Sequence, residues 1–166
     1  MAQNERSLVI IKPDAVQRGL IGEILARYEQ RGLRIAALKL ELITREIAER
    51  HYGEHKDKPF FAGLVEFITS APSVLMVLEG PEAIRIIRDT NGDTKPAQAL
   101  PGTIRADFGL TIDRNLVHAS DSIESAAAEV ANFFGDGSII DYTRAIDSWI
   151  NGDQAWRQNN TGHKGI

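Results

Sequence analysis

The chain has 166 residues, 43% of them hydrophobic and 25% charged, proportions that suit one globular domain with its own core. Its formal net charge of −4 speaks against a nucleic-acid-coating surface, which leaves a domain basic, but permits a local basic pocket. With no cysteine in the sequence, disulfides, thiolate nucleophiles and cysteine-held metals are excluded.

Ser7 to Ile11 is a β-rich apolar run that stops at Lys12-Pro13, a first strand. Ile21, Ile24, Leu25 and Tyr28 recur at helical spacing, and Gly32 stands where a helix ends. Arg34 to Ile43 reads as a second strand, and Thr44 as the N-cap of a short helix reaching Tyr52. A second short helix is predicted over Phe60 to Ile68, then a third strand over Ser73 to Leu78. Pro81 is placed at the start of the next helix, which carries Ala83, Ile84 and Ile87. Leu116 to Ala119 is a short fourth strand. Asp121 and Glu124 form a capping-box pattern ahead of Ile123, Ala126, Ala127, Val130 and Phe134, and Gly135 stops that helix.

With the inserted helical pair set aside, the order is βαββαβ. That is the α+β, ferredoxin-like sandwich: a four-stranded antiparallel sheet with helices on its faces. Two stretches exceed this minimal domain. Asn91 to Asn115 contains glycine and proline and shows no periodicity, the mark of a functional loop or a disordered one. Residues 135–166 form a polar extension with Tyr142, Trp149 and Trp156 spaced along it, expected to dock on this domain, residues 1–134, or on a neighbouring subunit. The last residues, Asn159 to Ile166, read as loose.

The sequence carries no Gly-x-x-x-x-Gly-Lys-Ser/Thr loop, no Gly-x-Gly-x-x-Gly and no His-Glu-x-x-His. Of its four histidines, His51 and His55 stand one helical turn apart and make a conceivable metal pair with Glu54. The segment runs into the charged stretch His55-Lys56-Asp57-Lys58, however, and is read as an exposed helix end. His163 falls in the tail. His118 ends a strand and faces the start of a capped helix, a place where anions bind. On its own it reads better as a buried structural histidine. Its neighbours Pro101-Gly102-Thr103-Ile104-Arg105, Asn115 and Glu129 favour the chemical reading.

The segment Asn115-Leu116-Val117-His118-Ala119-Ser120-Asp121 resembles the Asn-x-x-His-Gly-Ser-Asp signature of nucleoside diphosphate kinases. Ile11-Lys12-Pro13-Asp14, Val16-Gln17-Arg18-Gly19, His51-Tyr52, Lys58-Pro59-Phe60-Phe61 and Pro101-Gly102-Thr103-Ile104-Arg105 match the same family in order, from about Arg6 to Phe134.

The resemblance implies ping-pong transfer of a γ-phosphoryl group between nucleoside triphosphates and diphosphates through a phosphohistidine on His118. It implies that Glu129 orients the imidazole, that Ser120 steadies the geometry, and that Tyr52 bonds a phosphate or helps fix the histidine. Lys12, Arg88, Arg105 and Thr94 would hold phosphates. Phe60 would stack on the base, with Leu64 and Ile112 as further apolar walls and Asn115 bonding the sugar. Mg²⁺ would arrive with the nucleotide, touched at most through water by Asp121.

Three positions where the family commonly has glycine hold Ala15, Ala106 and Ala119, so any of them requiring positive φ would be strained. A homo-oligomer is expected, with a hexamer favoured by the extended C-terminus and the long loop around Pro96 taking part in contacts. The polar N-terminus, Met1 to Arg6, lacks the features of a signal peptide. No apolar run is long enough to span a bilayer. A cytoplasmic protein with no membrane partner and no specific nucleic-acid partner is expected. The competing reading is a non-catalytic ferredoxin-like module, which predicts decay of the phosphate-binding set; that set is intact.

Overall fold

The computed structural model describes residues 4–135 and 137–152. Trp156, His163 and the segment Asn159 to Ile166 lie outside the described residues. Four strands, β1 (Asn4–Ile11), β2 (Arg34–Glu41), β3 (Ser73–Pro81) and β4 (Val117–Ala119), form one sheet in the order β2-β3-β1-β4. All neighbours are antiparallel, as the ferredoxin-like arrangement requires.

The period-two alternation of β1 divides the core. Val9 and Ile11 point to one face, where α2 (Ile21–Gln30) and α5 (Ala83–Asn91) supply Ile24, Tyr28, Ala83 and Ile87. Leu8 and Ile10 point to the other, where α3 (Arg45–His51), α4 (Phe61–Thr69) and α7 (Ile123–Phe134) supply Ala48, Val65, Ile68, Val130 and Phe133. In the antiparallel pairing His118 lies opposite Ile10, so it belongs to the face that α3 and α7 cover. That register brings the strand histidine beneath two helices.

Several boundaries differ from the sequence reading for identifiable reasons. Pro81 closes β3, paired with Asn4 at the end of the ladder where a missing N–H costs little. Glu82 then turns the chain at φ 51°, and the Glu5 carboxylate accepts from the Ile84 N–H in the first turn of α5 at 3.0 Å. The cap of α7 is Ser122, not Asp121: its hydroxyl accepts from the Ser125 N–H at 3.0 Å. Thr44 caps α3 as expected, accepting from the Ile47 N–H. A short helix, α1 (Pro13–Gln17), follows β1 directly.

The long segment 91–115 is not structureless. It holds α6 (Ile104–Phe108), capped by Thr103, and two 3-10 turns, Pro96–Gln98 and Ile112–Arg114. Polar backbone anchoring replaces apolar periodicity there, which is why pattern alone misses it. Beyond α7 the extension returns over the start of β2. Ile140 N–H donates to Ala36 O, at a bulge in β2, and Tyr142 OH donates to Ile35 O, both at 2.8 Å. Arg144 donates to the carbonyls of Gly32 and Leu33, ahead of α8 (Asp147–Asn151). Among the described residues no helix is long and apolar enough to cross a membrane.

Candidate active site

A cavity of about 680 Å³ opens where β1, β4, α3, α5 and α7 converge. His118 stands on its wall, presented by β4. Its Nε2 lies 3.1 Å from Glu129 Oε1, on the second half of α7. The other Glu129 oxygen accepts from the Ser120 hydroxyl at 2.5 Å, and that hydroxyl oxygen accepts from the Leu8 N–H at 3.1 Å. Ser120 is wholly buried behind the cavity and ties the carboxylate to the central strand. Burial works against charge on Glu129, but hydrogen bonds from His118 and Ser120 and the nearby imidazoles outweigh it and hold the carboxyl below its ordinary range. An ionised carboxylate only accepts, so the ring proton sits on Nε2 and the Nδ1 lone pair is left free. Among the described residues Nδ1 has no hydrogen-bond partner.

Lys12 directly follows β1. Its Nζ donates to Asn115 Oδ1 at 2.8 Å, and Asn115 Nδ2 donates to Thr94 O at 3.0 Å. Burial, aided by the Arg105 guanidinium and opposed by Asp14, lowers the Lys12 ammonium to about 8. An anion entering here meets a desolvated amine with little competing charge. Arg105 is buried, and its guanidinium donates to three carbonyls: Asn115 O at 3.1 Å, Gly92 O at 2.9 Å and Val117 O at 2.6 Å. It therefore braces the long loop against β4 as well as lining the cavity. Arg88, in the last turn of α5, and Thr94 are exposed on the same wall. Tyr52 lines the cavity at the end of α3, its phenol raised to about 12 by burial and then by Glu129. Asp121 sits at the rim, held below the usual carboxylate range chiefly by Ser125.

Between Asn115 and β4 the backbone makes a tight γ-turn, with Val117 N–H donating to Asn115 O at 2.9 Å. Leu116 at its centre has φ 75°, a strained value for a branched side chain. The turn is held from both sides: Leu116 N–H donates to Asp14 Oδ2 at 3.1 Å, and Leu116 O accepts from Lys12 N–H at 2.8 Å.

The structure thus gathers Lys12, Tyr52, Arg88, Thr94, Arg105, Asn115, His118, Asp121 and Glu129 around one cavity, with Ser120 behind it. The expected base-binding residues are not on its wall. Phe60 and Ile112 are each about half exposed, and Leu64 is partly buried on α4. Phe60 adjoins the rim through His55, the two ring centroids 5.4 Å apart. Arg114 lies over the Phe67 ring at 4.3 Å and joins the 112–114 turn to α4.

The expectation that His51 is an exposed helix end is wrong. Its ring stands perpendicular to that of His118, centroids 4.7 Å apart, and packs on Phe133 at 5.2 Å. Its Nδ1 is buried without a hydrogen-bond partner. Burial, then the neighbouring His118, lowers the imidazole to about 3. The overlooked signal was periodicity: His51 follows Ile47 and Ala48 by one turn, on the face of α3 that enters the core. The group of three potential metal ligands that forms among the described residues is His51, His118 and Glu129, without His55 or Glu54.

A family model for "Nucleoside diphosphate kinase" matches residues 5–139. The chain belongs to the nucleoside diphosphate kinase family. A nucleoside diphosphate kinase of Thermomicrobium roseum is 59% identical over 148 residues, covering 89% of this chain and 99% of the relative. One of Thermus thermophilus is 61% identical over 130 residues, 78% of this chain and 95% of the relative. A solved structure of a halophilic nucleoside diphosphate kinase from Halobacterium salinarum in complex with CDP superposes with a TM-score of 0.86 at 46% identity, covering 89% of this chain and 99% of that one. The 148-residue match is longer than residues 1–134, so it reaches beyond the stretch from about Arg6 to Phe134 that carries the resemblance and into the extension.

The three alanines that depart from the family's usual glycines are unstrained. Ala15 lies in α1, Ala106 in α6 and Ala119 in β4, and none of them has positive φ.

Proposed function

We propose that the chain is a nucleoside diphosphate kinase that carries the phosphoryl group on His118 Nδ1. The observation that supports this best is the pairing of a ring whose Nε2 is held by Glu129 with a free Nδ1 on a wall it shares with Lys12, Arg88 and Arg105. The Nδ1 lone pair attacks the γ-phosphorus of a nucleoside triphosphate. A nitrogen–phosphorus bond forms, and the bond to the β-phosphate oxygen breaks with its electrons leaving on the nucleoside diphosphate. A second diphosphate then takes the group by the reverse route. Lys12 and the arginines neutralise charge on the phosphate oxygens, and Glu129 stabilises the positive ring as the bond forms. Asn115, fixed between Lys12 and Thr94, is proposed to bond the sugar, with Tyr52 and Thr94 on the phosphates. Phe60, beside the rim through His55, would stack on the base, a contact that every base can make, with Leu64 and Ile112 proposed as further apolar walls.

Among the described residues the cavity wall offers no close group of carboxylates for an all-protein magnesium site; Asp121 stands at the rim, held below the usual carboxylate range. That suits Mg²⁺ carried in on the nucleotide, where it would neutralise phosphate oxygens. The enzyme is proposed to act in the cytoplasm as a homo-oligomer, a hexamer being favoured. Edge strand β2 exposes Leu38 and Leu40, with Leu42 beyond it, Leu40 at 63%, and the long loop exposes Leu110 at 84%. Such surfaces ask for a covering partner, here a second copy of the chain. Light scattering on the purified protein gives the subunit number directly.

Incubation with γ-labelled ATP should yield an acid-labile, base-stable phosphoenzyme that discharges onto GDP or dTDP. A His118→Ala variant that still becomes labelled would sink the mechanism.

A further inference from the structure

We infer that His51, His118 and Glu129 form a binding site for a borderline divalent transition-metal ion such as Zn²⁺, and that occupancy of this site blocks phosphorylation of His118. The inference rests on His118 as the phosphoryl acceptor. Two imidazoles and one carboxylate are a ligand set that zinc accepts, with a fourth position left for water. One donor atom from each residue lies within 4.8 Å of the other two. Donors around a tetrahedral zinc stand roughly 3.3 Å apart, given bonds of about 2.0–2.1 Å. His118 Nε2 and Glu129 Oε1, at 3.1 Å, already meet that spacing. His51 needs a shift of no more than about 1.5 Å to reach it.

Two further features favour the ion. His51 Nδ1 is buried with no partner, a cost that a metal bond would remove. Glu129 is held in place through its other oxygen by Ser120, the kind of supporting contact that orients metal ligands. Mg²⁺ does not compete, because it prefers oxygen ligands and octahedral geometry.

Inhibition follows whichever nitrogen of His118 the metal takes. At Nδ1 it occupies the attacking lone pair. At Nε2 it displaces the Glu129 hydrogen bond and drives the ring proton onto Nδ1, with the same result. Conversely, phosphorylation takes the Nδ1 lone pair and keeps the ring proton on Nε2 against the Glu129 carboxylate, so neither nitrogen is free for a metal and the two exclude each other.

Co²⁺ titrated into nucleotide-free protein provides the test, because four-coordinate cobalt absorbs visible light far more strongly than the aqua ion. The expected result is that intense band, removed by added Zn²⁺, weakened more than about 10-fold in affinity in a folded His51→Gln variant, and absent from wild-type protein phosphorylated beforehand. Protein loaded with Zn²⁺ and freed of excess ion by gel filtration should form phosphoenzyme only after a chelator is added. A spectrum matching aqueous Co²⁺, or one that persists in phosphorylated wild-type protein, overturns the inference. Where the cobalt spectrum overturns the site, labelling of metal-free protein at His118 still leaves the proposed function standing; failure of metal-free protein to label removes that function.

Discussion

Glu129 Oε1 lies 3.1 Å from His118 Nε2, and the carboxylate is anchored from behind by Ser120 at 2.5 Å. The carboxylate selects the tautomer that frees Nδ1, and on the proposed mechanism it also faces the positive charge that would develop on the ring during transfer. Glu129→Gln keeps the shape and removes the charge. An amide can also donate to Nε2, which would favour the proton on Nδ1. Single-turnover labelling from ATP should slow on the order of 100-fold or more, with the nucleotide dissociation constant little changed. Equal rates in the two proteins would leave Glu129 a bystander.

On the proposed mechanism, Lys12 should set the alkaline limit of nucleotide capture. Its ammonium is lowered to about 8 in the free protein, so charge is present below that pH and lost above it. kcat/KM for the nucleotide should fall as pH rises through about 8, and that limb should flatten in Lys12→Gln, whose overall rate is lower. The same shift has a defined effect on stability. Between about 8 and the ordinary lysine value of 10.5 the unfolded chain binds more protons at this group than the folded one. Lys12 thus contributes increasing stability as pH rises across that window. A kcat/KM profile flat to pH 9.5 would remove Lys12 from phosphate binding.

The strained turn at Leu116 depends on Asp14. Its Oδ2 accepts the Leu116 N–H at 3.1 Å, next to the Lys12–Leu116 backbone bond, so one carboxylate fixes the link between Lys12 and the strand of His118. Asp14→Ala should cost about 1–3 kcal/mol in urea unfolding, from the orphaned N–H and the released strain. KM should rise as Lys12 and Asn115 lose registration. Asp14→Asn retains an accepting oxygen and should recover most of the stability. Matching midpoints for Asp14→Ala and wild type would mean that the turn holds itself.

Arg105 shows why a conservative change can be severe. Its guanidinium reaches the carbonyls of Gly92, Asn115 and Val117 at once, from a buried position. Lysine carries the same charge but cannot span that fork. Arg105→Lys should lose about 2–3 kcal/mol, as buried carbonyls are left unpaired, and its labelling rate should drop with it. A variant of native stability and reduced labelling would instead assign Arg105 to phosphate alone.

The order of strands and long helices was legible in the sequence because hydrophobic period and caps such as Thr44 report local structure directly. Elements held by distant polar contacts were not. The helix α6 and the turns around it are organised by Thr103, Asn115 and Arg105 through hydrogen bonds that leave no periodic trace. Pro81 and Asp121 were misplaced by one element boundary because ladder pairing with Asn4 and the extended backbone at Ser122 override local preference. At the site, the charged set stood out by resemblance. His51 was lost because the charged stretch after it outweighed the apolar stripe of Ile47 and Ala48 in the reading. What decides its place is the packing of α3 on α7, a tertiary fact.

Next to His118, Ala119 in place of the family's usual glycine would be strained if the position required positive φ. In the structure Ala119 is an ordinary residue of β4, paired with Val9 and nearly buried, with no positive φ to relieve. Ala119→Gly therefore removes a buried methyl group and loosens a three-residue strand without relaxing anything. It should lower stability by about 0.5–1 kcal/mol and leave the labelling rate within about twofold, because the His118–Glu129 pair does not depend on that side chain. A large gain in rate on restoring glycine would mean that the methyl group obstructs the attacking geometry at His118. The pairing of Ala119 with Val9 argues against that, since it fixes the backbone on which the imidazole stands.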